Sequence, residues 1–212
     1  MYKTLIFDLD GTLVDSLEDL AMSTNLLLAE NNFPIHDMEV YKQFVGNGVD
    51  KLIERALPDD KKGEVNKYRS RFNEIYNDNC LKHTLPYEGI KELIDDLYYN
   101  GYKLAVVTNK PKAYATKIVN QLFPNRFAYV FGNTVYQPKK PHPCLVQLAM
   151  QLLETNKNET IFIGDSNVDI ETAINAKIAS IGCLWGFRTK EELEAAGATY
   201  TVSKPSEIKD LL

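Results

Sequence analysis

Short apolar runs alternate with helical patterns over most of this chain, and that alternation constrains its fold more than any other feature. The segment GIKELIDDLYYNG at 89–101 ends in Asn100-Gly101, which is typical of a helix end, and PKAYATKIVNQLF at 111–123 begins with a proline at a helix-entry position. Strands that alternate with helices form a parallel, doubly wound α/β sheet through right-handed crossovers. The apolar runs that predict its buried strands lie at 4–7, 102–108, 127–131, 160–164 and 179–184.

One long segment breaks the alternation. Between Ser16 and Leu85 the sequence contains no convincing strand, but it holds several helical patterns. We therefore predict an α/β core formed by 1–15 and 86–212, with a helical subdomain at 16–85 inserted after the first strand. The helical patterns in the insertion are SLEDLAMSTNLLLAENN at 16–32, DMEVYKQF at 37–44, GVDKLIERAL at 48–57 and one long charged helix at 59–83.

Composition excludes several classes of protein. The chain has 212 residues, 44% of them hydrophobic, and can bury a sizeable core. A formal net charge of -5, without a basic tract, argues against a nucleic-acid partner. The three cysteines are odd in number and far apart, so they indicate neither a disulfide framework nor a metal cluster. No signal-peptide pattern and no apolar run of membrane-spanning length is found, so we expect a cytoplasmic protein without a membrane partner.

The oligomeric state stays open at this stage between a monomer and a homodimer. The charged helix at 59–83 is most simply a solvated face with ion pairs. Its apolar side chains must nevertheless pack on another surface, and a second subunit is one candidate. These side chains are Tyr68, Phe72, Ile75 and Tyr76.

Polar side chains gather where the predicted strands end. In open parallel sheets, functional groups collect beyond the carboxyl ends of the strands. We therefore expect several acids, a hydroxyl, an amide and a cation to converge on one site. They are Asp8 and Asp10 after the first strand, Thr108 and Asn109 after the second, Asp165 after the fourth, and Lys140 before the helix between the third and fourth strands.

The acids at these strand ends predict a metal ion. Two ionised carboxylates about 5 Å apart repel by roughly 3 kcal/mol at an effective dielectric constant near 20, and Asp165 adds to that repulsion. Oxygen ligands without histidine or cysteine suit Mg²⁺. A metal among acids indicates phosphate chemistry, because the ion shields a nucleophile from an anionic substrate. Each of these residue types is also an ordinary turn or cap residue, so the convergence carries the catalytic interpretation.

Each side chain suits a particular role in phosphate transfer. Asp8 can act as a nucleophile that forms an acyl-phosphate, and Asp10 can protonate the leaving alkoxide and later activate water. Lys140 can pair with both the phosphoryl group and the nucleophile. Gly11 lets backbone N–H groups approach phosphate oxygens, and Thr108 with Asn109 offers neutral donors. Asp169, one helical turn beyond Asp165, can hold Lys140 or a metal-bound water.

Four motifs carry a family resemblance that spans essentially the whole chain. They are DLDGTLVDS at 8–16, VVTNKP at 106–111, KPHP at 140–143 and GDSNVD at 164–169. Through them the chain resembles the haloacid dehalogenase superfamily of phosphohydrolases. The resemblance implies a Rossmann-like core with a mobile helical cap, which the insertion looks like. It also implies Mg²⁺ held by Asp8, Asp165 and the Asp10 backbone carbonyl, and a small phosphate ester as substrate.

The same resemblance assigns the residues more closely. It implies that Asp8 is the nucleophile, Asp10 the general acid/base and Lys140 the charge-balancing lysine, with Asp169 as the second acid of its motif. Thr108 and Asn109 would bind phosphate. An acid at position 10 favours phosphate transfer over dehalogenation. The segments FVGNGVDKLIERAL at 44–57 and CLWGFRTKEELEAAGATY at 183–200 look like the phosphoglycolate phosphatase subfamily, which cleaves 2-phosphoglycolate.

The insertion offers its own candidates for substrate contact. Gly46-Asn47-Gly48 is either a simple turn between helices or a loop that closes over the leaving group, as in the family that the chain resembles. Arg55 lies opposite an apolar helix face and can meet a substrate carboxylate bidentately, or it can be part of a solvated charged face.

Other functions remain open from the sequence. A pyrophosphatase, a sugar-phosphate phosphatase and a phosphoglucomutase are enzymatic alternatives within the same superfamily. A non-catalytic module that binds a phosphorylated metabolite is a further alternative. Such a module would be expected to lose Asp8, Asp10 or Lys140, and the chain retains all three.

Overall fold

The computed structural model describes all 212 residues, and its central element is a six-stranded sheet in the order β5-β4-β1-β6-β7-β8, in which every neighbouring pair is parallel. A separate antiparallel pair joins β2 to β3. The strands are β1 (Thr4–Phe7), β2 (Val14–Asp15), β3 (Leu85–Pro86), β4 (Lys103–Pro111), β5 (Tyr129–Asn133), β6 (Thr160–Gly164), β7 (Ala179–Cys183) and β8 (Tyr200–Val202).

Nine α-helices and three short 3-10 segments complete the structure. The 3-10 segments span Asp59–Glu64, Lys157–Glu159 and Pro205–Leu211. No helix combines the length and the apolar character needed to cross a membrane. The α-helices are α1 (Leu17–Glu30), α2 (Met38–Phe44), α3 (Val49–Ala56), α4 (Val65–Asn79), α5 (Ile90–Tyr99), α6 (Lys112–Leu122), α7 (Cys144–Leu152), α8 (Asn167–Ala176) and α9 (Lys190–Ala195).

Strand β1 lies at the centre of the sheet and is buried on both faces. Leu5 and Phe7 belong to one apolar cluster, which also takes side chains from α5 and α6. Ile6 points to the opposite face, where α7 and α8 supply half of the cluster. Such two-sided burial is why the strands read as continuous apolar runs. The predicted α/β fold with a parallel, doubly wound sheet is confirmed.

The structure adds the short strands β2 and β3, which were not predicted, and departs from the predicted strands at three further places. The run predicted at 102–108 continues to Pro111, and the run at 127–131 is paired at Tyr129–Asn133 instead. Strand β8 was not predicted, because its three residues, Tyr200–Val202, are too few to show an apolar run and become a strand only by pairing with β7. Pairing with a neighbouring strand, and not a local sequence pattern, therefore determines that these residues form a strand.

Helices α1–α4 pack around an apolar cluster of their own, to which Tyr114 of α6 also contributes. The helix predicted at 59–83 is wrong in extent: a 3-10 segment covers Asp59–Glu64 and α4 begins only at Val65, after the weak helix former Gly63. The apolar side chains for which a second subunit was considered are buried within this chain instead. They are Tyr68, Phe72, Ile75 and Tyr76.

The two crossings between the sheet and these helices lie side by side. β2 pairs with β3, so the start and the end of the helical segment are joined by backbone hydrogen bonds. The buried Asp19 carboxylate on α1 accepts from the backbone N–H groups of His83 and Thr84, at 3.0 and 2.9 Å, and from the Thr84 hydroxyl at 2.6 Å. The boundary predicted at 15/16 falls directly after β2, and the boundary at 85/86 falls inside β3. The division into domains stays a prediction.

Candidate active site

The residues predicted to converge do so at one edge of the sheet, directly after β1 and β6 and within the last residues of β4. The Lys140 ammonium lies 2.9 Å from Asp8 Oδ1 and donates to Asp169 Oδ1 at 2.6 Å. All three side chains are almost completely buried. A buried lysine between two carboxylates is an electrostatic bridge from the first strand end to the start of α8.

Asp165 and Asp169 occupy different environments although both follow β6. Asp165 accepts from the Thr12 hydroxyl and from the Phe187 backbone N–H, each at 2.9 Å, and has no lysine partner. Asp169 pairs with Lys140, and its Oδ2 accepts from the backbone N–H and hydroxyl of Ser166 at 3.0 and 2.6 Å, which forms a capping box for α8. Asp169 therefore holds Lys140 in place, as one of its two predicted roles required.

Two glycines make room for Asp165. Gly11 has φ +84°, and a Cβ built there would lie 2.3 Å from Asp165 Oδ2. A Cβ at Gly186 would lie 2.2 Å from Asp165 Cβ and 2.5 Å from the Gly11 carbonyl oxygen. Any side chain at either position would displace the carboxylate. A glycine is therefore needed at position 11 for steric reasons, in addition to the approach to phosphate that was predicted for it.

Burial and mutual repulsion govern the charges of this cluster. Burial, together with the carboxylates of Asp169 and Asp8, raises the pKa of Asp165 to about 8. Burial likewise raises the pKa of Asp8 above its usual range, although Lys140 opposes the change. Burial alone would lower the pKa of Lys140, but Asp169 and Asp8 outweigh it and raise that pKa. The lysine is therefore charged, and the acids need further positive charge to ionise together.

The donor set fits a magnesium ion. Oxygens of Asp8, Asp165 and Asp169 lie within 4.8 Å of one another, and no histidine or cysteine belongs to the group. Asp8 Oδ1 is buried and has only the Lys140 ammonium near it, at 2.9 Å, whereas both Asp169 oxygens are already engaged. Hard carboxylate oxygens without a nitrogen or sulfur ligand suit Mg²⁺. Asp8 and Asp165, with the Asp10 carbonyl predicted beside them, are the residues that would hold the ion.

Asp10 has a partner that the sequence analysis missed. The Lys110 ammonium lies 2.8 and 3.1 Å from the two Asp10 carboxylate oxygens, and the Ser16 hydroxyl donates to Asp10 Oδ1 at 2.5 Å. Only 2% of the Lys110 side chain is exposed. A signal was present, since Lys110 directly follows Thr108 and Asn109 in the chain. This contact fixes the Asp10 carboxylate beside the nucleophile.

Thr108 and Asn109 are both buried near the carboxyl end of β4, but they differ in whether they can still donate a hydrogen bond to a ligand. The Asn109 side chain accepts from the Lys140 backbone N–H at 2.8 Å and donates to the carbonyls of Lys140 and Gly46 at 3.1 and 3.2 Å. Its amide therefore clamps the lysine segment to the helical insertion. The Thr108 hydroxyl accepts only from the Lys110 backbone N–H, at 3.2 Å, and keeps its own proton to donate.

The predicted loop Gly46-Asn47-Gly48 lies over the site. Gly46 contacts Asn109 as described, and Gly46 and Gly48 line a small cavity, partly open to solvent, together with Asp8 and Asp10. Arg55 does not line this cavity. Its guanidinium donates to the carbonyls of Gln43 and Phe44 at 3.1 and 3.0 Å and to Asn47 Oδ1 at 2.8 Å. Arg55 holds the loop in shape, and its predicted contact with substrate has no geometric support here.

A second arginine, also missed from the sequence, ties the same loop to the core. Arg188 donates to the carbonyls of Lys42 and Val45, the latter at 3.1 Å. Its neighbour Phe187 is the residue whose N–H binds Asp165. Residues 187–188 therefore connect a carboxylate of the acid cluster directly to the loop over the cavity.

Known proteins resemble this chain over nearly its full length. The chain is 31% identical over 218 residues to a phosphoglycolate phosphatase of Vibrio parahaemolyticus, covering 99% of this chain and 96% of that protein. It is 36% identical over 195 residues to a phosphoglycolate phosphatase of Haemophilus influenzae, covering 88% and 87% of the two chains. A crystal structure from Lactobacillus delbrueckii subsp. bulgaricus, described as a proposed phosphoglycolate phosphatase, superposes with a TM-score of 0.93 at 30% identity, covering 99% and 98%.

These similarities confirm the resemblance inferred from the four motifs, including that to the phosphoglycolate phosphatase subfamily. The model of the haloacid dehalogenase-like hydrolase family matches residues 5–183, a range that contains the whole acid cluster, Lys110 and Lys140. The chain belongs to the haloacid dehalogenase-like hydrolase family.

Proposed function

We propose that this protein is a Mg²⁺-dependent phosphomonoesterase that hydrolyses small phosphate esters through an aspartyl-phosphate on Asp8, with 2-phosphoglycolate as its substrate. The observation that carries the proposal is the position of Asp8: a buried carboxylate 2.9 Å from a charged lysine and next to two further acids. The choice of 2-phosphoglycolate rests on the relatives at 31% and 36% identity, which are both phosphoglycolate phosphatases.

The first half of the reaction follows from the positions of Asp8 and Asp10. Asp8 attacks phosphorus, and the bond from phosphorus to the ester oxygen breaks. Asp10 acts in its protonated form: held by Lys110 and Ser16 beside the nucleophile, it gives its proton to the departing oxygen, which leaves as an alcohol, and becomes a carboxylate. Lys140 and the Thr108 hydroxyl face the transferring oxygens and stabilise the charge that develops there.

The second half regenerates the enzyme. Asp10, now a carboxylate, takes a proton from water, and the water oxygen attacks phosphorus to release phosphate and free Asp8. When bound, Mg²⁺ supplies positive charge that reduces repulsion between the acids and the substrate phosphate. The loop 46–48 limits water around the nucleophile, because Asn109 and Arg188 hold it against the core.

The direct test is phosphate release from a panel of small esters, with Mg²⁺ and with a chelator in its place. The panel includes 2-phosphoglycolate, pyrophosphate, sugar phosphates and an aryl phosphate. We expect metal-dependent release with the highest kcat/KM on 2-phosphoglycolate. A highest kcat/KM on pyrophosphate or on a sugar phosphate would show that 2-phosphoglycolate is not the preferred substrate. Isomerisation of a sugar phosphate without phosphate release would indicate a mutase. No turnover of any ester would contradict the proposed activity.

Arg188→Lys is expected to raise KM several-fold, with a smaller effect on kcat. Lysine cannot donate to two carbonyls in the fixed fork that arginine offers, so the loop would close less often over bound substrate. Steady-state kinetics at saturating Mg²⁺ measure this. Lys190→Gln is the matched control, because Lys190 forms only an exposed ion pair with Glu194. An unchanged KM in Arg188→Lys would show that the two carbonyl contacts do not govern loop closure.

A further inference from the structure

Tyr76 on α4 places an unused hydroxyl beside the active site. The side chain is completely buried and lines the cavity that contains Asp8 and Asp10, and its hydroxyl has no hydrogen-bond partner. Burial raises the pKa of Tyr76, so the group is a neutral hydroxyl with a proton to donate. A buried hydroxyl without a partner costs free energy, and such a group in a cavity suggests a ligand atom that completes it.

Lys110 provides a cation next to that hydroxyl. Its ammonium lies 4.8 Å from the centre of the Tyr76 ring and donates to the two Asp10 oxygens. An ammonium has three donors, and the one left after the two contacts to Asp10 lies on the side of the Tyr76 ring and hydroxyl. The burial of Lys110 would by itself lower its pKa, but Asp10 and Tyr76 raise it, and the group stays charged.

The rest of the cavity is apolar on the side of the helical insertion. Leu20, Val45, Val49 and Leu52 line it, and all four are buried. Such a wall offers no hydrogen bond to the hydroxyl groups of a sugar. Thr108 and Asn109 also line the cavity, as the predicted phosphate binders, so Lys110 and Tyr76 are the polar side chains left for an organic group that extends from Asp10 toward the insertion.

We propose that Lys110 and Tyr76 form a subsite for a carboxylate on the alcohol half of the substrate. The inference rests on the proposed function and deepens it, because it names the side chains that would bind the carboxylate of 2-phosphoglycolate. If Asp10 protonates the leaving oxygen, that oxygen lies against Asp10, whose Oδ1 is 2.8 Å from the Lys110 ammonium. A carboxylate two bonds further along, as in 2-phosphoglycolate, then reaches the third ammonium donor and the Tyr76 hydroxyl. An uncharged group at the same place would leave the cation without its acceptor.

The test compares 2-phosphoglycolate with 2-hydroxyethyl phosphate, which replaces the carboxylate by an uncharged alcohol of similar length. We expect the wild-type protein to prefer 2-phosphoglycolate in kcat/KM by at least about tenfold, as for one hydrogen bond to a charged group. Tyr76→Phe should reduce that preference by about tenfold, mainly through KM for 2-phosphoglycolate. Lys110→Gln should reduce the preference as well, whatever it does to Asp10, because the ratio of the two substrates cancels effects on chemistry that both share.

Tyr114→Phe is the matched control. Its ring packs edge-on against Tyr76, with centroids 5.1 Å apart, but its hydroxyl donates to the Asn73 carbonyl at 2.9 Å and does not line the cavity. The preference should be the same in Tyr114→Phe as in the wild type. Tyr76→Phe removes an unpartnered hydroxyl, so its melting temperature should be unchanged or higher. A loss of preference in this variant would then reflect the contact and not damage to the fold.

Several outcomes separate this proposal from the activity itself. Equal kcat/KM values on the two esters in the wild type would overturn the subsite and keep the phosphatase. A Tyr76→Phe variant that loses activity equally on both esters would also overturn it. Absence of turnover on either ester would overturn the phosphatase and the subsite together. As a measurement that needs no variant, glycolate should inhibit the wild type more strongly than ethylene glycol, and equal inhibition would contradict the subsite.

Discussion

Asp8→Asn is expected to abolish phosphate release, with kcat reduced by at least about 10⁴-fold, because the carboxamide cannot form the acyl-phosphate. The substitution preserves shape and removes one negative charge from a cluster of three buried acids. Lys140 keeps Asp169 as its counter-charge at 2.6 Å. The variant should therefore fold, which circular dichroism and a thermal melt would verify before activity is compared.

Asp10→Asn is the second variant to compare, because it separates formation of the aspartyl-phosphate from its hydrolysis. It removes the proton donor and the base but leaves the nucleophile, so a substrate with a good leaving group, such as an aryl phosphate, should still phosphorylate Asp8 while hydrolysis of the adduct becomes slow. Intact-mass spectrometry should show an added phosphoryl group in Asp10→Asn and none in Asp8→Asn. Burst-free turnover by Asp8→Asn at wild-type rates would contradict an aspartyl-phosphate on this residue.

The motif residues could be predicted from the sequence because a single rule places them. Asp8, Asp10 and Asp165 follow apolar runs, and the carboxyl ends of parallel strands share one edge of the sheet. The rule needs only the alternation of strands and helices, which the sequence displays over most of its length. It locates the acids without any knowledge of how the insertion packs.

The residues that were missed depend on contacts between distant segments. Lys110 reaches Asp10 across 100 positions, and Arg188 reaches Val45 across 143. The Arg188 contact leaves no pattern in the local sequence, and for Lys110 the only indication is its place directly after Thr108 and Asn109. The same limit explains Arg55. Its spacing on α3 is compatible with substrate contact, but its guanidinium donates to the end of α2 and to Asn47 of the loop before α3. Periodicity indicates which face of a helix is polar but not what that face meets.

Asp165→Asn is expected to raise the melting temperature of the metal-free protein while abolishing the response to Mg²⁺. Burial and the neighbouring acids raise the pKa of Asp165 to about 8. A carboxyl whose pKa is higher in the folded protein than in the unfolded chain destabilises the fold progressively as pH rises from about 4 to about 8, because the unfolded chain loses its proton first. Asparagine can accept from the Phe187 N–H and donate to the Thr12 hydroxyl, so it keeps both contacts without the charge.

The difference between the variant and the wild type should therefore be small near pH 5 and grow toward pH 8 in the presence of a chelator. A stability gain on the order of 1 kcal/mol corresponds to a rise of about 2–4 °C for a chain of this size. Mg²⁺ binds the ionised acids, so its stabilisation of the wild type should grow over the same pH range and be absent from Asp165→Asn. Asp169→Asn provides the contrast: its oxygens hold Lys140 and cap α8, so that variant should melt lower. Calorimetry of the three proteins, with Mg²⁺ and with a chelator, measures these differences in melting temperature. If Asp165→Asn melts below the wild type in chelator at pH 8, the site stabilises the charged acid without a metal and the prediction is wrong.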